Sequence, residues 1–111
     1  MSSNEIFSRL PFPFESGVFP QQLGAVVQKT VLSGEEPARV VIHTEDNCWL
    51  VGDGINDPNE PGACVATHIW HVIEKDGSVG ELASLGCGFQ VSREGPGDPW
   101  FASPFSFDDD G

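Results

Sequence analysis

Alternating apolar and polar positions predict several short β-strands in the first two thirds of the chain. The clearest is ARVVIHT, residues 38–44, in which every second side chain would face the same side of a sheet. A turn at EDN leads into CWLVG, residues 48–52, and these two segments are predicted to pair as a hairpin. Two further strands are predicted: AVVQKTVL, residues 25–32, because it is rich in β-branched residues, and the short segment ACVA, residues 63–66.

The periodicity becomes helical after Thr67, which is a predicted N-cap. At about 100° per residue, the apolar residues of segment 69–73 lie on one side of this helix, and His68 and His71 lie together on the other. This spacing predicts a short amphipathic helix whose histidines are not on the buried face.

A second short helix is predicted from a capping-box pattern, because Ser78 and Glu81 have the spacing that exchanges hydrogen bonds at a helix start. It would end at Gly86, a residue suited to a left-handed terminator. A last strand, CGFQVSR at 87–93, would place every second residue inward, Phe89 among them.

The order of these elements predicts an α+β domain with a mainly antiparallel sheet of about four to five strands and two short helices on one face. We expect this single domain to span residues 23–101. Residues 1–22 form a predicted extended arm rich in proline and phenylalanine, whose phenylalanines should dock on the domain. Residues 102–111 are predicted to be an acidic tail.

The 111-residue chain is strongly acidic, because 5 Lys and Arg stand against 17 Asp and Glu, a formal net charge of −12. Such a surface repels the phosphates of nucleic acids and anionic membranes, and it attracts cationic proteins. No apolar run approaches the roughly 20 residues that span a bilayer, and the N-terminus lacks the pattern of a secretory signal. We therefore expect a cytoplasmic protein that binds neither nucleic acid nor membrane.

The three cysteines, Cys48, Cys64 and Cys87, are odd in number and form no CxxC pair, which predicts reduced thiols in a cytoplasm. None of them lies in a recognisable protease motif. The chain also contains neither a G-x-S-x-G elbow nor a glycine-rich phosphate loop with its lysine. The sequence thus predicts no catalytic residues, no cofactor and no enzymatic activity.

A metal site is the alternative. His68 and His71 could supply one pair of ligands, with Cys64 or His43 as further ligands. A structural zinc site needs four ligands, usually as two short-range pairs, and the second pair is missing. The acidic segment DGINDPNEPG, residues 53–62, also lacks the spacing of a calcium-binding EF-hand. The primary prediction is therefore no bound metal, with a metal-stabilised or metal-dependent small domain as the alternative.

Recognition of a partner is the remaining class of function. The candidate partner-binding residues are acidic side chains and one aromatic anchor expected at the surface: Asp53, Asp57, Glu60, Trp100, Asp108, Asp109 and Asp110. Arg93 is instead expected to form an internal ion pair. We expect a monomer or a homodimer, since the arm can dock on its own domain or be exchanged between two chains.

Segment 76–100, DGSVGELASLGCGFQVSREGPGDPW, resembles a family of small bacterial proteins catalogued as domain of unknown function 2185 and also described as immunity-protein-like. The resemblance covers residues 38–100, from a tryptophan strand and an Asp-Pro-rich loop to a closing glycine–x–x–tryptophan. The matching positions are Trp49, Asp57, Pro58, Asp76, Ser78, Glu81, Leu82, Gly88, Phe89, Arg93, Gly97 and Trp100. The chain departs from the family at Asp76-Gly77-Ser78, where the family often has Asp-Pro-Ser.

This resemblance carries no catalytic residues over to the chain. Its immunity association implies neutralisation of a toxin by binding, and strong negative charge suits that role because many toxin domains that attack nucleic acid are basic. We therefore expect a non-catalytic acidic recognition protein that binds and occludes a basic protein, such as a toxin domain.

Overall fold

A mixed six-stranded β-sheet forms one layer of the fold, and short helices pack against one of its faces. The computed structural model describes residues 14, 17–21, 23–45, 47–57, 60–95 and 97–105. Along the chain the elements are β1 (Gly24–Gln28), α1 (Lys29–Ser33), β2 (Val40–His43), β3 (Trp49–Gly52), β4 (Cys64–His68), α2 (Trp70–Ile73), a 3₁₀-helix (Gly77–Leu82), β5 (Phe89–Ser92) and β6 (Phe101–Pro104). The predicted α+β class is confirmed.

The strand order in the sheet is β4-β1-β3-β2-β5-β6. β2 and β3 form the predicted antiparallel hairpin, in which His43 lies opposite Trp49. β1 and β3 run parallel, with Val27 beside Val51, and the other described neighbours are antiparallel. The predicted four to five mainly antiparallel strands therefore differ in detail, because β3 returns beside β1 after the chain has passed through α1 and β2.

Alternate residues of the central strands point into one core between the sheet and the helices. Val27, Val41, Val51 and Val91 share a face by register, and all four are buried. They form a cluster with the buried valines of the three helices: Val31, Val72 and Val79. These valines pack between the sheet and the helices together with larger buried side chains such as Trp49, Phe19 and Ile69.

The strand predicted over 25–32 is wrong in its second half. β1 ends at Gln28, and α1 carries Val31 into the core. Gly34 closes this helix in the left-handed conformation, with a φ of 89°, and its backbone N–H donates to the carbonyl of Val31. Burial of Val31 outweighs the modest preference of β-branched residues for strands.

Two predicted helix starts are also wrong. Thr67 is not an N-cap, because β4 stays paired with β1 as far as His68 and the helix begins only at Trp70. At the 3₁₀-helix the cap is Asp76, whose carboxylate accepts hydrogen bonds from the backbone N–H of Ser78 at 3.1 Å and from its hydroxyl at 2.7 Å. The Ser78 hydroxyl is therefore engaged by Asp76 instead of by a capping box.

The end of the second predicted helix and the last strands differ in extent. The 3₁₀-helix stops at Leu82 and not at Gly86, and β5 begins only at Phe89. Phe89 is 43% exposed, whereas Val91 is buried as predicted. Residues 101–104 form the exposed strand β6 at the edge of the described sheet, where a proline is tolerated because one side of β6 is not paired with any described strand. The predicted tail thus begins within a strand, and its residues 106–111 lie outside the described residues.

The N-terminal arm docks on the core where it is described. Phe14 and Phe19 are buried, and their ring centroids lie 6.3 and 4.9 Å from that of Trp49. Trp70 Nε1 also donates a hydrogen bond to the carbonyl of Phe19 at 2.6 Å. The prediction that the arm's phenylalanines dock is confirmed for these two, and Phe12 lies outside the described residues. In the part of the chain that is described, no helix has the length and apolar character needed to cross a membrane.

Candidate functional site

The acidic loop, residues 53–62, joins β3 to β4 and is organised around the side chain of Asp53. One carboxylate oxygen accepts from the backbone N–H groups of Ile55 and Asn56, both at 2.8 Å. The other accepts from the Thr30 hydroxyl at 2.6 Å and from the Asn56 amide at 2.7 Å. Asp53 was predicted to contact a partner, but it is fully buried, because its carboxylate satisfies the donors of its own loop.

The pKa of Asp53 reflects two opposing effects. Burial raises the pKa, but the hydrogen bonds from Thr30, Asn56 and the backbone N–H groups of Ile55 and Asn56 outweigh it and lower the pKa to about 2. Such bonds favour the charged form because an ionised carboxylate is the better acceptor. Asp53 is therefore a buried anion at neutral pH, and it holds the loop rather than facing a partner.

Gln28 at the end of β1 holds the same loop from the sheet. Its amide oxygen accepts from the backbone N–H of Asp53 at 2.8 Å, and its amide nitrogen donates to the carbonyl of Asn56 at 3.1 Å. Gln28 is itself buried. Residues 53–56 are thus tied to both β1 and α1, which fixes the position of the side chains that follow.

Two of the predicted partner-binding residues do lie on the surface of this loop. Asp57 and Glu60 are exposed, and Ile55 beside them is 63% exposed. A large exposed aliphatic side chain next to carboxylates has the character of an interface, in which an apolar contact is surrounded by a charged rim. Asp108, Asp109 and Asp110 lie outside the described residues.

An apolar groove adjoins the acidic loop, on the face of the sheet opposite the helices. It has a volume of about 670 Å³, and Gly54 and Asn56 of the loop line one part of it. The half-buried aliphatic residues of the sheet that line it are Val26, Val40, Ile42 and Leu50. A half-buried apolar surface beside an ordered acidic loop offers both the apolar centre and the polar rim of a recognition surface.

Trp100, the predicted aromatic anchor, has a structural position instead. Its half-buried ring packs against the core, and the guanidinium of Arg93 lies 4.2 Å from the ring centroid. Arg93 is buried, and it donates to the Ala38 carbonyl and the Ser78 hydroxyl, both at 2.9 Å, and to the carboxylate of Asp76. This confirms the predicted internal ion pair of Arg93. It also corrects the prediction of Trp100 as a surface anchor, because the Trp100 ring packs against the core and the Arg93 guanidinium lies over it.

The pKa of Asp76 is set by the same network. Burial raises it, but the hydrogen bonds from Ser78 and Arg93 and the positive charge of Arg93 outweigh burial and lower it. Asp76, Ser78, Arg93 and Trp100 are therefore joined in one cluster, in which Arg93 contacts the other three side chains.

The exposed carboxylates on the described surface outnumber the exposed cations, because two arginines are used in contacts within the domain. Besides Arg93, Arg39 is turned inward, because its guanidinium donates to Glu36 and to the backbone carbonyls of Asp53 and Glu94. Within the described ranges the exposed cations are Lys29 and Lys75. The exposed carboxylates there are Glu35, Glu45, Asp57, Glu60, Glu74, Glu81, Glu94 and Asp98.

The residues of the alternative metal site do not converge. The rings of His68 and His71 do approach, with centroids 5.9 Å apart, although His68 is in a strand and not in the helix. Cys64 lies four residues away along β4, roughly 13 Å, and His43 lies on β2, three strand spacings or roughly 14 Å away. No group of three His, Cys, Asp or Glu side chains suited to a metal occurs among the described residues.

His43 lies instead in a cluster that the sequence did not indicate. Its buried ring stacks on Trp49 with centroids 3.8 Å apart, and its Nε2 lies 3.5 Å from the sulfur of the exposed Cys87. The two residues are 44 positions apart, and they meet because β2 and β5 are neighbours in the sheet. No local motif marks such a pair, and only the strand order brings it together.

Comparisons with known proteins identify no relative of this chain. No family model, no curated protein and no solved structure matches the chain. The case for a function therefore depends on the geometry and charge described above.

Proposed function

We propose that the protein is a non-catalytic, acidic recognition protein that binds a basic protein and occludes its functional surface, as an immunity protein does with a toxin domain. The observation that carries this proposal is the acidic loop, which buried Asp53 and Gln28 hold in one conformation beside the apolar groove. A loop that is ordered before binding loses less conformational entropy on association, so more of the contact energy remains as affinity.

Charge and shape have separate roles in this proposal. The net charge of −12 attracts a basic protein over a distance and raises the association rate, an effect that salt screens. Aliphatic side chains in the groove would then exclude water from the centre of the contact, with Asp57 and Glu60 at its rim. The resemblance of residues 38–100 to immunity-like proteins implies the same kind of role.

The test begins by capturing a partner from the native host, identifying it and purifying it. The dissociation constant is then measured for the wild type, for Asp57→Lys/Glu60→Lys and for Glu74→Lys/Glu81→Lys. Both double variants replace two exposed carboxylates with two lysines, so their net charges are equal. We expect the loop variant to weaken binding about tenfold or more and the control, on the helical side, to have a much smaller effect.

The groove is tested in the same assay with Leu50→Ser, which removes an aliphatic side chain from its lining, against Val18→Ser at an exposed position elsewhere. We expect only Leu50→Ser to raise the dissociation rate. A partner without excess positive charge, binding that added salt does not weaken, or equal losses from the two charge-reversal variants would each contradict the proposal.

A further inference from the structure

A thiol and a buried imidazole meet where the turn before β5 contacts the turn between β2 and β3. Cys87 is exposed, its sulfur lies 3.5 Å from Nε2 of His43, and the His43 side chain is inaccessible to solvent. A nucleophilic cysteine requires such a base within hydrogen-bond reach. We infer that Cys87 is an activated thiol with His43 as its base, and that it exchanges with low-molecular-weight disulfides that are neutral or positively charged.

The His43 ring is held in the orientation that this role needs. Nδ1 lies 2.6 Å from the carbonyl oxygen of Leu85. A carbonyl can only accept a hydrogen bond, so Nδ1 carries the hydrogen. Nε2 faces two groups, the Cys87 thiol at 3.5 Å and the side-chain oxygen of Asn47 at 2.7 Å, so both ring nitrogens have an oxygen acceptor once Nε2 holds the thiol proton. The indole of Trp49 stacks on the ring at an interplanar angle of 14° and keeps it in this plane. An oriented base beside a thiol is the arrangement found in cysteine nucleophiles generally.

Asn47 completes the arrangement from the β2–β3 turn. Its side-chain oxygen lies 2.7 Å from Nε2 of His43, so it can accept a hydrogen bond once that nitrogen has taken the proton of the thiol. Among the described residues, Asn47 is the one that is not glycine and has a left-handed backbone, with a φ of 67°. Asparagine tolerates this conformation better than most residues, and here it places the amide beside the imidazole.

The exchange is balanced in protons and electrons. Nε2 of His43 takes the proton from Cys87, and the thiolate attacks one sulfur of the small disulfide. That S–S bond breaks, a mixed disulfide forms on Cys87, and the released thiolate takes the proton from the imidazolium. The sulfur of Cys87 is oxidised, the released sulfur is reduced, and the small disulfide is the oxidant.

Charge around the thiol selects among small disulfides. Glu45 lies near the residue that follows Cys87, since one of its carboxylate oxygens is 3.9 Å from the position that a Cβ on Gly88 would occupy. Together with the net charge of −12, this carboxylate repels anionic disulfides and attracts cationic ones. Cystamine and hydroxyethyl disulfide should therefore react faster than glutathione disulfide.

The test measures modification rates at Cys48, Cys64 and Cys87 of the full-length, reduced protein by peptide mass spectrometry. Cystamine is the probe, and the folded chain at pH 7 is compared with the chain unfolded in urea. Exposure alone would make Cys87 react no faster in the folded chain than in the unfolded one. We expect it to react about tenfold faster when folded, because only the folded chain places His43 where it can take the thiol proton, while Cys48 and Cys64, both half-buried, slow down.

Two variants connect the rate to the proposed base. His43→Gln should lower the folded-state rate at Cys87 to the rate in urea, and circular dichroism shows whether this core substitution still folds. Asn47→Gly preserves the left-handed backbone and removes the acceptor, so it should lower the rate partially in a folded protein. Unchanged rates in Asn47→Gly, or a wild-type Cys87 that reacts equally fast folded and unfolded, would overturn the inference.

The charge selection has its own control. Glu45→Gln should reduce the advantage of cystamine over glutathione disulfide at low salt, whereas Glu94→Gln, at another exposed position, should leave it unchanged. Equal wild-type rates with the two probes, or equal effects of the two variants, would overturn the stated preference for neutral and cationic disulfides.

Discussion

Replacement of Asp53 by asparagine separates the charge of the buried carboxylate from its shape. An asparagine side chain retains one oxygen for the backbone N–H groups of Ile55 and Asn56, which now donate at 2.8 Å. It loses the second, charged acceptor that binds the Thr30 hydroxyl and the Asn56 amide. We therefore expect Asp53→Asn to fold, to be less stable, and to hold the acidic loop less tightly.

The magnitude follows from the pKa of Asp53. A carboxyl with an ordinary pKa of 3.8 and a pKa of about 2 in the folded protein contributes about 2 kcal/mol to the free energy of unfolding when it is ionised. Because the folded pKa is the lower one, this contribution is complete above about pH 5 and declines as the pH falls toward 2. Roughly half of it remains at pH 3.

The assay is urea denaturation of the wild type and Asp53→Asn at several pH values between 2 and 7, followed by the fluorescence of the three tryptophans, of which Trp49 is buried. The difference between the two proteins is the informative quantity, because other carboxyls such as Asp76 titrate in both. We expect a difference of about 2 kcal/mol at pH 6 that decreases steadily below pH 4. A difference that does not depend on pH, or a variant as stable as the wild type at pH 6, would refute the reasoning.

Two further substitutions test the scaffold by the same denaturation assay. Arg93→Lys should lower the free energy of unfolding by about 3 kcal/mol, because lysine retains the charge but cannot donate to Asp76, Ser78 and the Ala38 carbonyl together. The control is Lys29→Ala at an exposed position, which should change the free energy of unfolding by under about 0.5 kcal/mol. Equal effects of the two variants would contradict the assigned network. Gly34→Ala should lower the free energy of unfolding by about 1 kcal/mol. A Cβ at this position meets no atom within 4 Å, so the loss comes from the left-handed backbone, with its φ of 89°. Gly77→Ala is the matched control, because it too has space for a Cβ but an ordinary φ, and a similar loss in both variants would show that backbone conformation is not the cause.

The parts of the fold that follow from local pattern could be predicted. The β2–β3 hairpin was predictable because alternation over residues 38–44 and a short polar turn specify two strands that pair with each other. Docking of the arm was predictable from the cost of exposing Phe14 and Phe19 to water. The internal ion pair of Arg93 follows the general rule that a buried charge needs a partner.

The parts that depend on tertiary contacts could not be predicted from the pattern. Residues 29–33 have strand-forming composition, yet they turn into α1 because Val31 completes the core above β1. β6 gives no alternating pattern of apolar and polar residues, because all four of its residues, Phe101 included, are exposed and only backbone pairing with β5 defines the strand. In both cases the competing local preference amounts to a fraction of a kcal/mol per residue, which tertiary packing readily exceeds.

The candidate site illustrates the same limit for function. Sequence composition indicated that residues 53–62 are acidic, and Asp57 and Glu60 are exposed as expected. It could not show that Asp53 is turned inward, because the donors that bind it come from α1 as well as from its own loop. The contact of Cys87 with His43 could not be predicted from the sequence either, because it depends on the pairing of β2 with β5.

The distribution of cations connects stability with recognition. Arg39 and Arg93 both direct their guanidinium groups toward internal acceptors, so the carboxylates on the described surface face few exposed cations. Repulsion among those carboxylates disfavours the compact state, and the buried networks of Asp53 and Arg93 offset it. A basic partner would reduce that repulsion on binding. The exposed carboxylates that destabilise the isolated domain would therefore also favour the binding of a cationic surface to the acidic loop.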